Sequence, residues 1–100
     1  MPASELRLLP EAQTDVAEGE VYYRRRSVEA ADGFLVALDH AFELIAAAPK
    51  RWPRHRRSTR RFVIQTYPYS VIYRVVDGIV WIVAVAHFKR HPAYWRRRRH

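Results

Sequence analysis

The stretch that decides the fold is Tyr69–His87, YSVIYRVVDGIVWIVAVAH. Two apolar, β-branched runs flank Asp77-Gly78, a dipeptide that readily takes the positive φ angles a two-residue hairpin turn demands. Closing the hairpin between Val76 and Ile79 sets Arg74 opposite Trp81, Ile72 opposite Val83 and Ser70 opposite Val85. In that register one face carries Val71, Tyr73, Val75, Val80, Ile82, Ala84 and Ala86, an apolar bed suited to helices. The other face, with Ser70, Arg74, Trp81 and His87, is left more open. Arg74 beside Trp81 makes a cross-strand cation–π pair, worth about 0.5–2 kcal/mol.

Working outward, RFVIQT (61–66) reads as the preceding strand, joined to the hairpin by a turn at Tyr67-Pro68. At the other end of the chain, Leu6 and Leu8 alternate with Glu5 and Arg7 in SELRLL, a short first strand closed by Pro10. Pro10 suits the first turn of a helix, where its missing N–H is not needed. Glu11 and Asp15 then sit near the positive end of the helix dipole. Ala12, Val16, Gly19 and Tyr23 trace one helical face up to about Arg26. Gly19 in mid-helix costs about 1 kcal/mol relative to alanine, which a close helix crossing at that point would explain. Ser27 is an N-cap for a second helix whose stripe is Ala31, Phe34, Leu35, Leu38, Phe42 and Ile45, ended by Pro49. The expected fold is α+β, in the order β-α-α-β-β-β. Its antiparallel sheet is covered on one face by an αα-hairpin.

The chain has 100 residues, 49% of them hydrophobic and 13 aromatic, which specifies one packed domain over 1–100 with a flexible basic tail at 96–100. There is no cysteine, which excludes disulfides and thiolate-bound zinc. The N-terminus lacks a long apolar stretch, and the run from Ile79 to Ala86 is far short of the roughly 20 residues a membrane span needs. A cytoplasmic protein without a membrane partner is expected. Charge is divided: residues 1–43 hold nine carboxylates against four cations, whereas residues 44–100 hold only Asp77 against fourteen cations. Such asymmetry attracts nucleic acid or an acidic protein segment. The segment PKRWPRHRRSTRR (49–61), with seven cations and no carboxylate, reads as a basic loop.

Metal-independent RNA cleavage needs an acid–base group and cations around the developing phosphorane charge. His87, Arg61, Arg74 and Arg90 are the residues that could form such a set, with Tyr94 just beyond. The alternative for His87 is structural, hydrogen-bonding the turn into the tail. Trp52, Trp81 and Trp95 are candidates for stacking on bases, though aromatic residues in so small a domain also serve as core. His87 and His91 have metal-ligand spacing only on a helix, and Pro92 argues against one; no metal and no cofactor is expected.

The same residues resemble the RelE/ParE-type toxins of bacterial type II toxin–antitoxin systems, with the ParE branch the closer match. The resemblance rests on Pro68-Tyr69, Tyr73–Val75 (YRV), Ala84–His87 (AVAH), Arg90, and Pro92, Tyr94 and Trp95. PEAQTDV (10–16), Tyr22-Tyr23 and FLVAL (34–38) add to it. It implies the same β-α-α-β-β-β fold and a growth-inhibiting toxin neutralised by a cognate antitoxin. ParE-like members poison DNA gyrase by binding; RelE-like members cleave mRNA on the ribosome. The AVAH pattern runs through ParE-like sequences, so a gyrase-binding toxin is the first reading and a ribosome-dependent endoribonuclease the second. Arg60, Arg61, Arg74, Trp81, His87, Arg90, Tyr94 and Trp95 are the residues expected to meet antitoxin or target. The chain would act as a homodimer or a toxin–antitoxin hetero-oligomer.

Overall fold

The computed structural model describes residues 3–89, 94, 95 and 98. The order is β1 (Leu6–Leu8), α1 (Pro10–Arg24), α2 (Val28–Ala47), β2 (Arg60–Val63), β3 (Tyr69–Val76) and β4 (Ile79–His87). Pro10 opens α1 with Glu11 in its first turn. Ser27 caps α2, its Oγ accepting the Ala30 N–H at 2.9 Å. Ala31, Phe34, Leu38, Ala41 and Ile45 recur at helical spacing and are buried. Among the described residues, no helix is long and apolar enough to cross a membrane.

The four strands lie in the order β1-β4-β3-β2. The expected β-α-α-β-β-β order and helix-covered sheet are present, but the sheet is mixed, not antiparallel throughout. β1 runs parallel to β4, with Leu6 beside Val80 and Leu8 beside Ile82. No tight turn links these two strands, so nothing forces the antiparallel geometry of a hairpin. The parallel register puts Leu6 and Leu8 in one row with Val80 and Ile82, against the core cluster.

The Asp77-Gly78 turn forms as expected, with φ of 51° and 78°. The expected register holds from the turn through Arg74 opposite Trp81 to Tyr73 opposite Ile82, and fails beyond it, where Ile72 and Ser70 do not meet Val83 and Val85. Tyr73 pairs with Ile82 and Ile72 with Ala84, which leaves Val83 as an extra residue in β4. Beyond this bulge Ser70 faces Ala86, Val71 faces Val85 and Tyr69 faces His87. The bulge exchanges the faces of the last residues of β4. Val85 and His87 join Tyr69 and Val71, while Ala84 and Ala86 join Ile72 and Ser70.

The helices cover the face that carries Tyr69, Val71, Tyr73, Val80 and Ile82. The Phe34 and Tyr69 rings are 5.0 Å apart, Tyr73 donates its hydroxyl to the Pro49 carbonyl, and Tyr67 donates to the Ala30 carbonyl at 2.8 Å. A Cβ built on Gly19 would lie 2.6 Å from Phe34 Cζ, so α1 and α2 do approach closely at this glycine.

β1 pairs only with Val80–Ile82, so the outer edge of β4 continues past it. There the Val85 N–H donates to Asp15 Oδ2 at 3.0 Å, and Arg98 donates to the Val83 carbonyl at 3.1 Å. Arg98 also reaches Asp15, with Nη1 2.6 Å from Oδ2 and Nη2 3.1 Å from Oδ1. The tail expected at 96–100 thus has at least Arg98 docked, its side chain only 13% exposed; the other four tail residues lie outside the described residues.

Candidate functional site

On the face turned away from the helices, a row runs across the sheet from Arg7 to Trp81 to Arg74. Arg7 lies with its guanidinium carbon 5.7 Å from the centre of the Trp81 ring, a cation–aromatic contact. Arg74, expected to pair with Trp81, is its cross-strand neighbour, and its buried Nε has no hydrogen-bond partner. The next row contains Arg61, Ile72 and Ala84. Arg61 Nε donates to Ser70 Oγ at 3.0 Å, which fixes the guanidinium over the sheet.

Arg61 and Ile72 of this row, with Ser70 and Ala86 beyond them, line a cleft of about 250 Å³. Ser70 and Ala86, small cross-strand partners, leave the space; Arg61 and Arg56 supply charge, and His55, Phe88 and Trp95 wall it. Arg56 and His55 come from the basic loop, held by a hydrogen bond from the His55 N–H to the Thr59 carbonyl at 2.9 Å. The His55 imidazole is held below its ordinary pKa by burial first, then by Arg61 and Arg56. Burial is the larger cause, and the two arginines add to it. Among the described residues, no carboxylate is ion-paired with Arg56 or Arg61; the ion pairs join Arg7 to Glu5, Arg24 to Glu20 and Asp32, and Arg98 to Asp15.

His87 ends β4 at the border between this cleft and a second one of about 390 Å³. Its Nδ1 accepts the Lys89 N–H at 3.1 Å, and its ring meets the Tyr69 ring edge-on at 5.1 Å. Asp15, Glu18, Tyr22, Tyr69 and Tyr94 line the second cleft. Burial, then the neighbouring tyrosines, pushes the Tyr69 hydroxyl up to about 12, so it is a neutral hydroxyl at physiological pH. Arg98 stacks on Tyr94, 4.9 Å from the ring centre. Burial opposes the Arg98 charge, but the bonds and charge of Asp15 outweigh it and raise its pKa.

The structure therefore brings Arg61 and His87 to one cleft and leaves Arg74 in a different row. Arg60, expected beside Arg61, is turned to the other face of the sheet, where Nη1 donates to the Trp52 carbonyl at 2.7 Å. Trp95 is only 4% exposed and packs 5.9 Å from the His55 ring, so it acts as a wall and not as an exposed platform. Tyr94 is half-buried. Arg90 lies outside the described residues. The sequence reading named Arg7 only in the strand alternation, Asp15 only for the helix dipole and Arg98 only within the basic tail, and it did not name His55, Arg56 or Phe88 as site residues. The seven-cation loop was the signal for Arg56 and His55, and the alternation of Arg7 with Leu6 and Leu8 was the signal for Arg7.

Residues 6–92 match the family model of the ParE toxin of the type II toxin–antitoxin system, parDE. No curated protein sequence matches the chain. Among solved structures, it is similar to the chromosomal ParDE toxin–antitoxin system from P. aeruginosa, with a TM-score of 0.63 at 15% identity, over 85% of this chain and 96% of that one. The RelBE2 toxin–antitoxin complex from Mycobacterium tuberculosis gives a TM-score of 0.57 at 18% identity, covering 86% of this chain and 99% of that one. A double arginine-to-alanine mutant of E. coli toxin RelE in the free state gives 0.60 at 14% identity, covering 93% and 92%. These likenesses carry the fold, and the family match spans nearly all of the chain that builds it. The chain belongs to the ParE toxin family of type II toxin–antitoxin systems.

Proposed function

We propose that this ParE-family toxin inhibits growth by binding and poisoning DNA gyrase, and that a cognate antitoxin neutralises it. The observation that carries this reading is the ParE family match over residues 6–92. The division of charge supports an acidic partner segment, because the cations of the sheet face and loop have few carboxylates of their own. Two of the similar structures are toxin–antitoxin systems, in keeping with a partner encoded for this purpose. A supercoiling assay with purified protein tests the gyrase target. Inhibition that disappears on adding the antitoxin is the expected result; unimpaired supercoiling at several-fold molar excess would rule the target out.

A second reading, ribosome-dependent mRNA cleavage, is favoured by one observation, the meeting of Arg61 and His87 at a single cationic cleft. Against it, Arg74 stands in the Trp81 row and His87 Nδ1 is occupied by the Lys89 amide. Primer extension on mRNA after induction separates the two readings. Codon-positioned cuts that vanish with His87→Ala would establish the nuclease.

A further inference from the structure

Within the basic loop, the short hairpin from Arg54 to Arg60 carries two local costs. Arg54 and Arg60 stand directly opposite each other in an antiparallel bridge, and like charges so placed repel. The turn between them holds Arg57 at a φ of 56°, a left-handed conformation that L-residues adopt only at a cost in free energy. The turn is nevertheless firmly held. The His55 N–H donates to the Thr59 carbonyl at 2.9 Å, the Thr59 N–H donates to the Arg56 carbonyl at 3.2 Å, and Thr59 is buried. Unfavourable features gathered in one well-held segment mark a place shaped for an occupant.

On the side of the sheet to which Arg60 turns, Arg54 and Arg60 line a recess of about 200 Å³ together with Lys50, Ser58, Thr59 and Val75. Lys50 comes from the segment that follows α2, so the cations converge from separate parts of the chain. No carboxylate lines the recess, and among the described residues none is ion-paired with Lys50, Arg54 or Arg60. Arg60 is fixed by its Nη1 bond to the Trp52 carbonyl.

Three cations and a hydroxyl around so small a space match a compact oxyanion of two or more charges, which accepts from several donors at once. A carboxylate spreads one charge over two oxygens and leaves cations unmatched. No aromatic ring lines the recess, so a nucleobase has nothing to stack on. We infer that this recess binds the phosphate-type polyanion of a free small molecule, held between Arg54 and Arg60 with Lys50 and Ser58 Oγ as further donors. The bound anion turns the repulsion between the facing arginines into a bridge. The site lies apart from the cleft of Arg61 and His87 and does not rest on either reading of the target.

The test is isothermal titration calorimetry of the full chain with inorganic pyrophosphate, the ionic strength held constant with sodium chloride. Saturable binding is expected. Lys50→Ala and Arg54→Ala should each weaken it by about tenfold or more, the loss of one charge-assisted hydrogen bond. Both positions are exposed, and circular dichroism confirms that the variants fold. Arg25→Ala, at the end of α1, and Arg56→Ala, in the Arg61 cleft, should change affinity by less than about twofold, because they alter only the general field. Melting gives a second readout. Without the anion, Arg54→Ala should melt no lower than the wild type, since removing one of two facing guanidinium groups relieves their repulsion. Pyrophosphate should raise the melting temperature of the wild type and leave that of Arg54→Ala nearly unchanged.

Undetectable binding by the wild type, or losses for Lys50→Ala and Arg54→Ala no larger than for Arg56→Ala, would overturn the assignment. So would a lower melting temperature for Arg54→Ala in anion-free buffer, which would mean that the facing arginines are already reconciled. Poly-glutamate or a DNA duplex binding more tightly than pyrophosphate, with the same dependence on Lys50 and Arg54, would also overturn it. The occupant would then be a macromolecule and not a free small anion. The titration contains neither gyrase nor antitoxin, so its failure leaves the gyrase target standing, and failure of the supercoiling assay leaves this site standing.

Discussion

Arg98 and Asp15, 83 residues apart in the chain, close a bidentate ion pair against the outer edge of β4, with the shorter contact at 2.6 Å. Both side chains are largely withdrawn from water, at 13% and 6% exposure. Asp15 uses both oxygens and also accepts the Val85 amide, so the pair is satisfied by hydrogen bonds as well as by charge.

Breaking that pair from one side strands a buried charge. Arg98→Ala should lower the unfolding free energy by about 3 kcal/mol, the usual cost of removing one partner of a buried ion pair. The double variant Asp15→Asn with Arg98→Met should lose less than Arg98→Ala alone, since no uncompensated charge remains. Urea unfolding of both variants checks this; a loss below about 0.5 kcal/mol for Arg98→Ala would place the pair in the class of exposed bridges.

Gly19→Ala offers a contest between two opposed effects. Alanine gains about 1 kcal/mol of helix propensity, but its Cβ would meet Phe34 Cζ at 2.6 Å and the Tyr69 hydroxyl at 3.3 Å. Phe34 is fully buried, with Tyr23, Tyr67 and Tyr69 around it, and has little room to retreat. Overpacking of this kind costs about 1–3 kcal/mol, so net destabilisation and a lower melting temperature are expected. A stabilised Gly19→Ala variant would mean that the ring gives way.

Two tyrosines should titrate late. Tyr69 and Tyr73 are pushed up to about 12, by burial before any other cause. A folded pKa above the ordinary 10 means that the native state holds the proton longer than the unfolded chain does. Their contribution to stability is therefore complete below pH 10 and is lost as pH rises through 12. Ultraviolet absorbance should show a late tyrosinate phase that disappears in Tyr69→Phe,Tyr73→Phe, together with steepening alkaline unfolding of the wild type.

His55 gives the opposite dependence at the acid side. Its folded pKa lies below the ordinary 6.5, from burial and then from Arg61 and Arg56. As pH falls below 6.5 the unfolded chain takes up this proton before the native state does, so stability declines toward acid. His55→Gln should flatten the pH dependence of unfolding between about pH 7 and 5. An unchanged slope would remove His55 from the acid-side dependence.

The fold was legible where a local pattern had one solution. Asp77-Gly78 admits a two-residue turn, and the spacing of Ala31, Phe34, Leu38 and Ile45 admits only a helix. The bulge was hidden because Ile82-Val83-Ala84-Val85 is apolar at every position, so a one-residue slip leaves no polar residue on the wrong face to betray it. The direction of β1 was hidden because three residues carry no mark of parallel or antiparallel pairing. Within the site, the basic loop announced its charge but not which arginines would converge. Arg60 and Arg61 are neighbours in sequence, and the alternation of a strand sends them to opposite faces. Asp15 and Arg98 could not be joined by any local rule, since their contact depends on β1 stopping at Leu8 and leaving β4 uncovered beyond Ile82.

That abrupt stop of β1 bears on how the protein behaves in a crowd of its own copies. A naked strand margin is adhesive, because its unspent amides and carbonyls can recruit the margin of another molecule and start a polymer. Here a carboxylate occupies the Val85 amide and a guanidinium occupies the Val83 carbonyl, so the margin is sealed by side chains that no second strand can imitate. Asp15 and Arg98 are thus a stopper against fibre formation, and a toxin clipped ahead of Arg98 should precipitate before it unfolds.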